Sequence, residues 1–311
     1  TDGAIYSQLM QMQDGYNDGH NGEWIVEPEP FDKMFQLYWD AGYQIHTHNN
    51  GDGGLEVLLK SLGKAMERNP RKDHRATLVH FGFAKPKQVK RWIELGGIIS
   101  ANPYYVTALA GHYVKFGVGA RAENMVPLGD VLKNKGSMSF HSDMPMAPAK
   151  PLQLAWSAVN RITAEGKVMG KQHRVSVEQA LKAITIDAAY ALRMEKVIGS
   201  IEVGKSANLT VLEDSPFDVA STAIKDIEVW GTMLEGRLQP IGKNLARTAE
   251  KSTNPRATPE LQEAITAQLR KFQTKGSCMQ LPPNLPNFSP FFSQTNPTKP
   301  EGERFLLNAA R

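Results

Sequence analysis

Three residues stand out by type and spacing: His48, His80 and Asp143, separated by 32 and 63 positions. Each lies where a short β-rich run gives way to a loop, after Gly42–His48, after Arg75–His80 and after Ser137–His141. A divalent ion bound through nitrogen and oxygen wants two or three imidazoles, often a carboxylate, and an open position for water. The single cysteine, Cys278, excludes both an internal disulfide framework and a cysteine-based zinc cluster. His, Asp, Glu and Lys are left as candidate ligands. Taken singly, a histidine at a strand end is more often a surface or satisfied polar residue than a ligand, and Asp143 in Ser142-Asp143-Met144-Pro145 reads also as a turn opener. Together they say more, because surface histidines and turns have no reason to recur at equivalent positions of successive units.

The elements that must position them follow from the periodicity. From about residue 30 to 195, short β-rich runs alternate with longer amphipathic ones, the pattern of β/α units building a parallel sheet. Strands are expected at 42–48, 75–80, 97–102 and 137–141, with helices at 55–69 and 85–95. One strand, 97–102, falls between those ending at His80 and Asp143, so the two spacings correspond to one and two units of a barrel. Ser176, followed by Gln179, is a capping-box signature opening a helix to about Arg193. Beyond it, 196–240 reads as a small β module with strands at 209–212, 227–229 and 232–234. In 241–311, Thr258 and Pro259 open a helix presenting Leu261, Ile265, Leu269 and Phe272, and six prolines between 281 and 300 give an extended tail.

Charge excludes other functions. Of the 311 residues, Lys and Arg exceed Asp and Glu by only four, and 241–311 alone holds ten basic and five acidic side chains, so the main body is near neutral. No Lys/Arg stripe interleaved with aromatics appears, which argues against nucleic acid as a partner. No apolar run reaches the roughly 18 residues of a membrane span. The first residue is Thr1 rather than Met, so the compartment, cytoplasmic or periplasmic, stays open.

Five segments occur in one order: His48-Asn49-Asn50-Gly51-Asp52, Leu78-Val79-His80, Ser142-Asp143-Met144-Pro145, Ser176-Val177-Glu178-Gln179-Ala180-Leu181, and Gly199 through Leu209. In that order they resemble the amidohydrolase superfamily, and within it the YtcJ-like, amidohydrolase-3 branch, whose members include formamide-hydrolysing enzymes. The resemblance covers about residues 1 to 240. It implies a metal-dependent hydrolase of a non-peptide, amide-type C–N bond in a small molecule, with zinc the first choice among divalent metals and one or two ions bound. By this resemblance His48 and His80 are metal ligands on the fifth and sixth barrel strands. Asp143 is the eighth-strand carboxylate, a ligand that also deprotonates the attacking water. His46 and His141, each two residues before one of these, read as supporting or substrate-contacting groups or as spectators. Asp52 reads as a structural residue that ties down the Gly-rich turn and caps the following helix, and Tyr104 and Tyr105 as pocket-lining or core residues.

The family's first-strand His-x-His pair and fourth-strand Lys or acidic residue are missing; His46-Thr47-His48 carries the fifth-strand context instead. The fold expected is therefore α/β: the C-terminal part of a (β/α)8 TIM-type barrel, from the end of strand four to strand eight, in residues 1–195. Part of a β-sandwich module (196–240) and a C-terminal extension (241–311) follow. The N-terminal half of the same protein is the expected partner, and a homo-oligomer stays open. Asn49, where the family more often has Ala, bears on the pocket. The alternatives are a deaminase or ester/lactone hydrolase of the same superfamily, or a non-catalytic subunit.

Overall fold

The structure is a computed structural model that describes residues 1–240 and 305–307. The helix expected at 258–272 and the proline-rich tail lie outside the described residues. Chain order runs α1 (Pro28–Asp40), β1 (His46–Asn49), α2 (Asp52–Arg68), β2 (Thr77–His80), α3 (Pro86–Glu94), β3 (Ile98–Ala101), α4 (Tyr104–His112), α5 (Leu128–Lys133) and β4 (Met138–Phe140). The strands form a four-stranded sheet in the order β1-β2-β3-β4. Its ladders are parallel, with His46 beside Thr77, Thr77 beside Ile98, and Ile99 beside Met138.

The helices form because their apolar residues share a face. In α2, Leu55, Leu58, Leu59, Leu62 and Ala65 recur at three- and four-residue spacing and are all buried. In α3, Pro86 occupies the first turn, where its missing N–H costs nothing, and Val89 and Trp92 are buried. The Trp92 indole then donates to the Ile98 carbonyl at 3.0 Å, which ties the helix to the strand it precedes. The Trp39 indole of α1 donates to the Asn69 carbonyl at the end of α2 at 2.9 Å, which ties the two helices together. After α4 the backbone widens into one π turn, Tyr113–Gly117.

The strands are shorter than the sequence patterns. Strand β1 starts at His46, not Gly42, because Gly42 turns at φ 83° and the ladder begins only where Thr77 N–H meets the Ile45 carbonyl. The expected helix from Ser176 is two helices, α7 (Val177–Ala183) and α8 (Ile186–Ala191). The capping box is present, with Gln179 N–H donating to Ser176 Oγ at 3.1 Å and Ser176 N–H to Gln179 Oε1 at 2.8 Å. The break falls at Thr185, whose backbone leaves helical values (φ −129°, ψ −98°) and whose hydroxyl donates back to the Leu181 carbonyl at 2.7 Å. Between β4 and α7 lies α6 (Pro151–Asn160).

The β module is a second four-stranded sheet, order β7-β6-β5-β8, built from β5 (Leu209–Leu212), β6 (Val229–Leu234), β7 (Arg237–Pro240) and β8 (Phe305–Leu307). Where two strands were expected at 227–229 and 232–234, β6 is continuous. Ile227 belongs instead to the end of a 3-10 turn, Ser221–Asp226, which packs on α6 through the Trp156 indole bonded to the Thr222 carbonyl at 2.8 Å. Leu212, Ile224 and Ile227 make a small core with Leu152, Trp156 and Leu181. Among the described residues, no helix is long and apolar enough to cross a membrane.

Candidate functional site

The carboxyl ends of β1, β2 and β4 bring the chemistry together. His48 pairs with Val79, and Val79 with Ser100, on a half-buried face, while Thr47, Leu78 and Ile99 are buried on the other. Strict alternation would turn His80 away from His48, because it follows Val79. The alternation breaks there. His80 has φ 81° and Phe81 φ 56°, a left-handed pair of non-glycine residues that costs backbone energy. The His80 ring comes to rest with its centroid 4.6 Å from that of His48, edge to face, and 4.9 Å from that of His141.

A hydrogen-bonded set forms around His80 Nδ1. His141 Nε2 lies 3.0 Å from it and the Tyr105 hydroxyl 3.1 Å, while Ser100 Oγ is 3.0 Å from His141 Nδ1. Asp143 Oδ2 stands 3.9 Å from the same Nδ1, on a left-handed residue (φ 52°) in a loop that Asn102 holds by donating to the Ser142 carbonyl. Burial, and then the neighbouring rings, push the His80 imidazole down to about 3; burial takes His48 and His141 to about 4. All three rings are therefore neutral near pH 7 and retain lone pairs. Burial raises the Asp143 carboxyl above its usual range although the side chain is half exposed.

Behind His48 lies Asp2, which has no exposed surface. Its carboxylate accepts backbone N–H bonds from Asn50 (2.9 Å), Gly51 (2.6 Å) and Gln11 (3.1 Å), and its Oδ1 is 3.9 Å from His48 Nδ1. Burial pushes its pKa up, and the bonds from Asn50 and Gly51 oppose that.

The structure thus brings His48, His80, His141 and Asp143 together and leaves three other sequence candidates aside. His46 is exposed, with its Nε2 2.9 Å from Gln44 Nε2. Asp52 does not cap α2; the residue before the helix is Gly51, and Asp52 instead accepts from Gln13 N–H at 2.9 Å and faces Lys85 at 3.7 Å. Tyr104 packs against the core, and it is its neighbour Tyr105 that reaches the imidazoles. Sequence reasoning gave Asp2 and Ser100 no role. For Asp2, the three glycines at 51, 53 and 54 opposite an Asp-Gly pair were the available signal.

The donor set suits a divalent ion of borderline character: neutral imidazoles with a carboxylate at the rim. Among the described residues, no group of three His, Cys, Asp or Glu side chains is already arranged as an ion site. The chain's own donors fit the group in kind, and fewer than a full coordination sphere are in place.

A family model described as Amidohydrolase family matches residues 1–239. Among curated proteins, the chain is similar to an N-substituted formamide deformylase of Arthrobacter pascens, 29% identical over 64% of this chain and 36% of that protein. It is also similar to the putative amidohydrolase YtcJ of Bacillus subtilis, 24% identical over 76% of this chain and 45% of that one. The chain spans less than half the length of either relative. Among solved structures, a metal-dependent hydrolase from Pyrococcus furiosus superposes with a TM-score of 0.55 at 23% identity, covering 66% of this chain and 41% of the other. That likeness is one of fold.

Proposed function

The chain belongs to the Amidohydrolase family, and on that premise we propose that it supplies the strand-five-to-eight side of a metal-dependent hydrolase site acting on an amide-type, non-peptide C–N bond of a small molecule. The observation that carries the reading is the convergence of the His48 and His80 rings, 4.6 Å apart, with Asp143 3.9 Å from His80, at the carboxyl ends of parallel strands. His48, His80 and Asp143 would hold a divalent ion, zinc first. Such an ion, when bound, supplies the Lewis acidity that makes water a nucleophile near neutral pH. Asp143 takes the proton of the attacking water and returns it to the leaving nitrogen, so that the amide plus water become a carboxylic acid and an amine. Its raised pKa and half-exposed position suit a group that must carry a proton between two partners. His141, held by Ser100, and Tyr105 fix the plane of the His80 ring.

The remaining donors, on this reading, come from preceding β/α units of the same protein. Supporting it, β1 and β4 each pair on one side only among the described residues, and an open parallel edge is an unsatisfied one. The test is metal analysis of the full-length polypeptide by plasma emission, together with release of amine from a panel of N-substituted formamides. Near-stoichiometric zinc that falls in His48→Ala and His80→Ala supports the site, and unchanged metal in both variants removes it. Release of ammonia from aminated bases, or opening of lactones, in place of amide cleavage would move the reaction to a deaminase or lactonase while leaving the site intact.

A further inference from the structure

We propose that Asp2 is a positioning residue that sets the tautomer and orientation of His48. The proposal rests on the reading of His48 as a site donor. Asp2 is fully buried, and among the described residues the only ionisable nitrogen of a side chain within ion-pair distance of it is that of His48, at 3.9 Å. Its second oxygen is locked by Gly51 and Gln11 N–H groups, and Oδ1, the oxygen toward His48, receives Asn50 N–H. The Gly-rich turn lies close against this carboxylate. A Cβ on Gly51 would meet the Gln11 carbonyl oxygen at 2.0 Å and Asp2 Oδ2 at 2.9 Å, and one on Gly54 would meet Asn49 Oδ1 at 2.6 Å and Asp2 Cγ at 3.0 Å. Asn49 to Gly54 is therefore a socket for an anion from another segment as well as the start of α2.

The ring it faces has distinguishable ends. His48 Nε2 lies 3.3 Å from the Asn50 amide nitrogen, which donates, so in the neutral ring Nε2 is the lone-pair nitrogen and Nδ1 carries the proton. That Nδ1 is buried with no hydrogen-bond partner, and the Asp2 carboxylate is the anion beside it. A ring movement of about 1 Å converts the contact to a charge-assisted hydrogen bond of about 2.8 Å. With the proton kept on Nδ1 by Asp2, the lone pair stays on Nε2, where it accepts from Asn50 and would serve an electrophile that displaces that bond, the arrangement by which carboxylates raise the basicity of metal-binding imidazoles.

The experiment is long-range 1H–15N correlation NMR of the metal-free full chain at pH 7, the His48 signal assigned by its loss in His48→Gln, followed by titration with zinc chloride. The wild type is expected in the Nδ1–H form. Because Asn50 also donates to Nε2, Asp2→Asn is made in the Asn50→Ala background, where it is expected to shift His48 toward the Nε2–H form and to weaken zinc binding by about 10–100-fold relative to Asn50→Ala alone. Asn50→Ala, which keeps Asp2 and its backbone bonds, is expected to remain Nδ1–H; it also serves as the decisive variant if Asp2→Asn does not fold. A wild-type Nε2–H signal, an unshifted spectrum for Asp2→Asn in the Asn50→Ala background, or conversion in Asn50→Ala alone would overturn the proposal. Failure of zinc to move the wild-type His48 signal would instead sink the ligand reading and leave the tautomer result standing.

Discussion

Replacing Arg161 should be among the most damaging single changes in the chain, although it touches none of the imidazoles. Arg161 has no exposed surface and sits in the left-handed region (φ 53°) at the end of α6. Its guanidinium donates to three backbone carbonyls, Met169 (2.7 Å), Val126 (3.0 Å) and Met125 (2.7 Å). Among the described residues it has no carboxylate within ion-pair distance. Burial lowers its pKa to about 10, so it is charged at pH 7. Arg161→Met removes three hydrogen bonds from a charged donor, about 1.5–3 kcal/mol each, and strands three buried carbonyls. Relief of the buried charge offsets part of this, leaving a net loss of about 3–5 kcal/mol. With a urea slope of about 3 kcal/mol/M, the midpoint falls by roughly 1–1.7 M. Because Val126 N–H also donates to the Gly82 carbonyl at 2.7 Å, the segment that carries His80 loosens with it. Urea unfolding followed by tryptophan fluorescence is the assay. A midpoint shift below about 0.3 M at unchanged slope would refute the idea that the carbonyl cluster depends on this cation.

Asp143→Asn should lower turnover by about 10²–10⁴-fold with the far-UV circular dichroism unchanged, since the proton carrier is lost together with a carboxylate donor to the ion; turnover within threefold of wild type would reassign the base. Buried His173 has its pKa pushed down to about 4 by burial, against about 6.5 unfolded, so the unfolded chain binds the extra proton between those values. Its contribution is complete above pH 6.5 and is lost as pH falls toward 4, about 2 kcal/mol of it by pH 5; His173→Asn should flatten the stability–pH curve by that amount, and parallel curves would contradict this. Gly51→Ala places a Cβ 2.0 Å from the Gln11 carbonyl oxygen, so it should cost at least about 2 kcal/mol, read as a lower urea midpoint.

The β/α alternation was legible because each strand and helix buries one face, and the period of that burial is written in Leu55–Ala65 or in Leu78 against Val79. Strand ends were not. Gly42–Ile45 has strand composition, but a ladder needs a partner, and the partner begins at Thr77. Helix continuity failed at Thr185 for a related reason: the apolar period carries through, while one hydroxyl bonded back to Leu181 bends the chain. The positions of His48, His80 and Asp143 at equivalent unit ends were visible as spacing. That His80 faces His48 was not, because it depends on a left-handed residue against the alternation of the strand. Asp2 was invisible as a contact because its partners are backbone N–H groups 9 to 49 residues away, and side-chain pattern does not report those.

In the parallel sheet each strand pairs only with its nearest strands in sequence, so the order of the sheet is the order of synthesis. Within these four strands a growing chain can therefore add one ladder at a time. His80 leaves the ribosome 63 residues before Asp143, roughly 3–13 s at about 5–20 residues per second. During that interval the two imidazoles stand without the carboxylate that joins them in the folded chain, so the cluster closes only after β4 has been laid down.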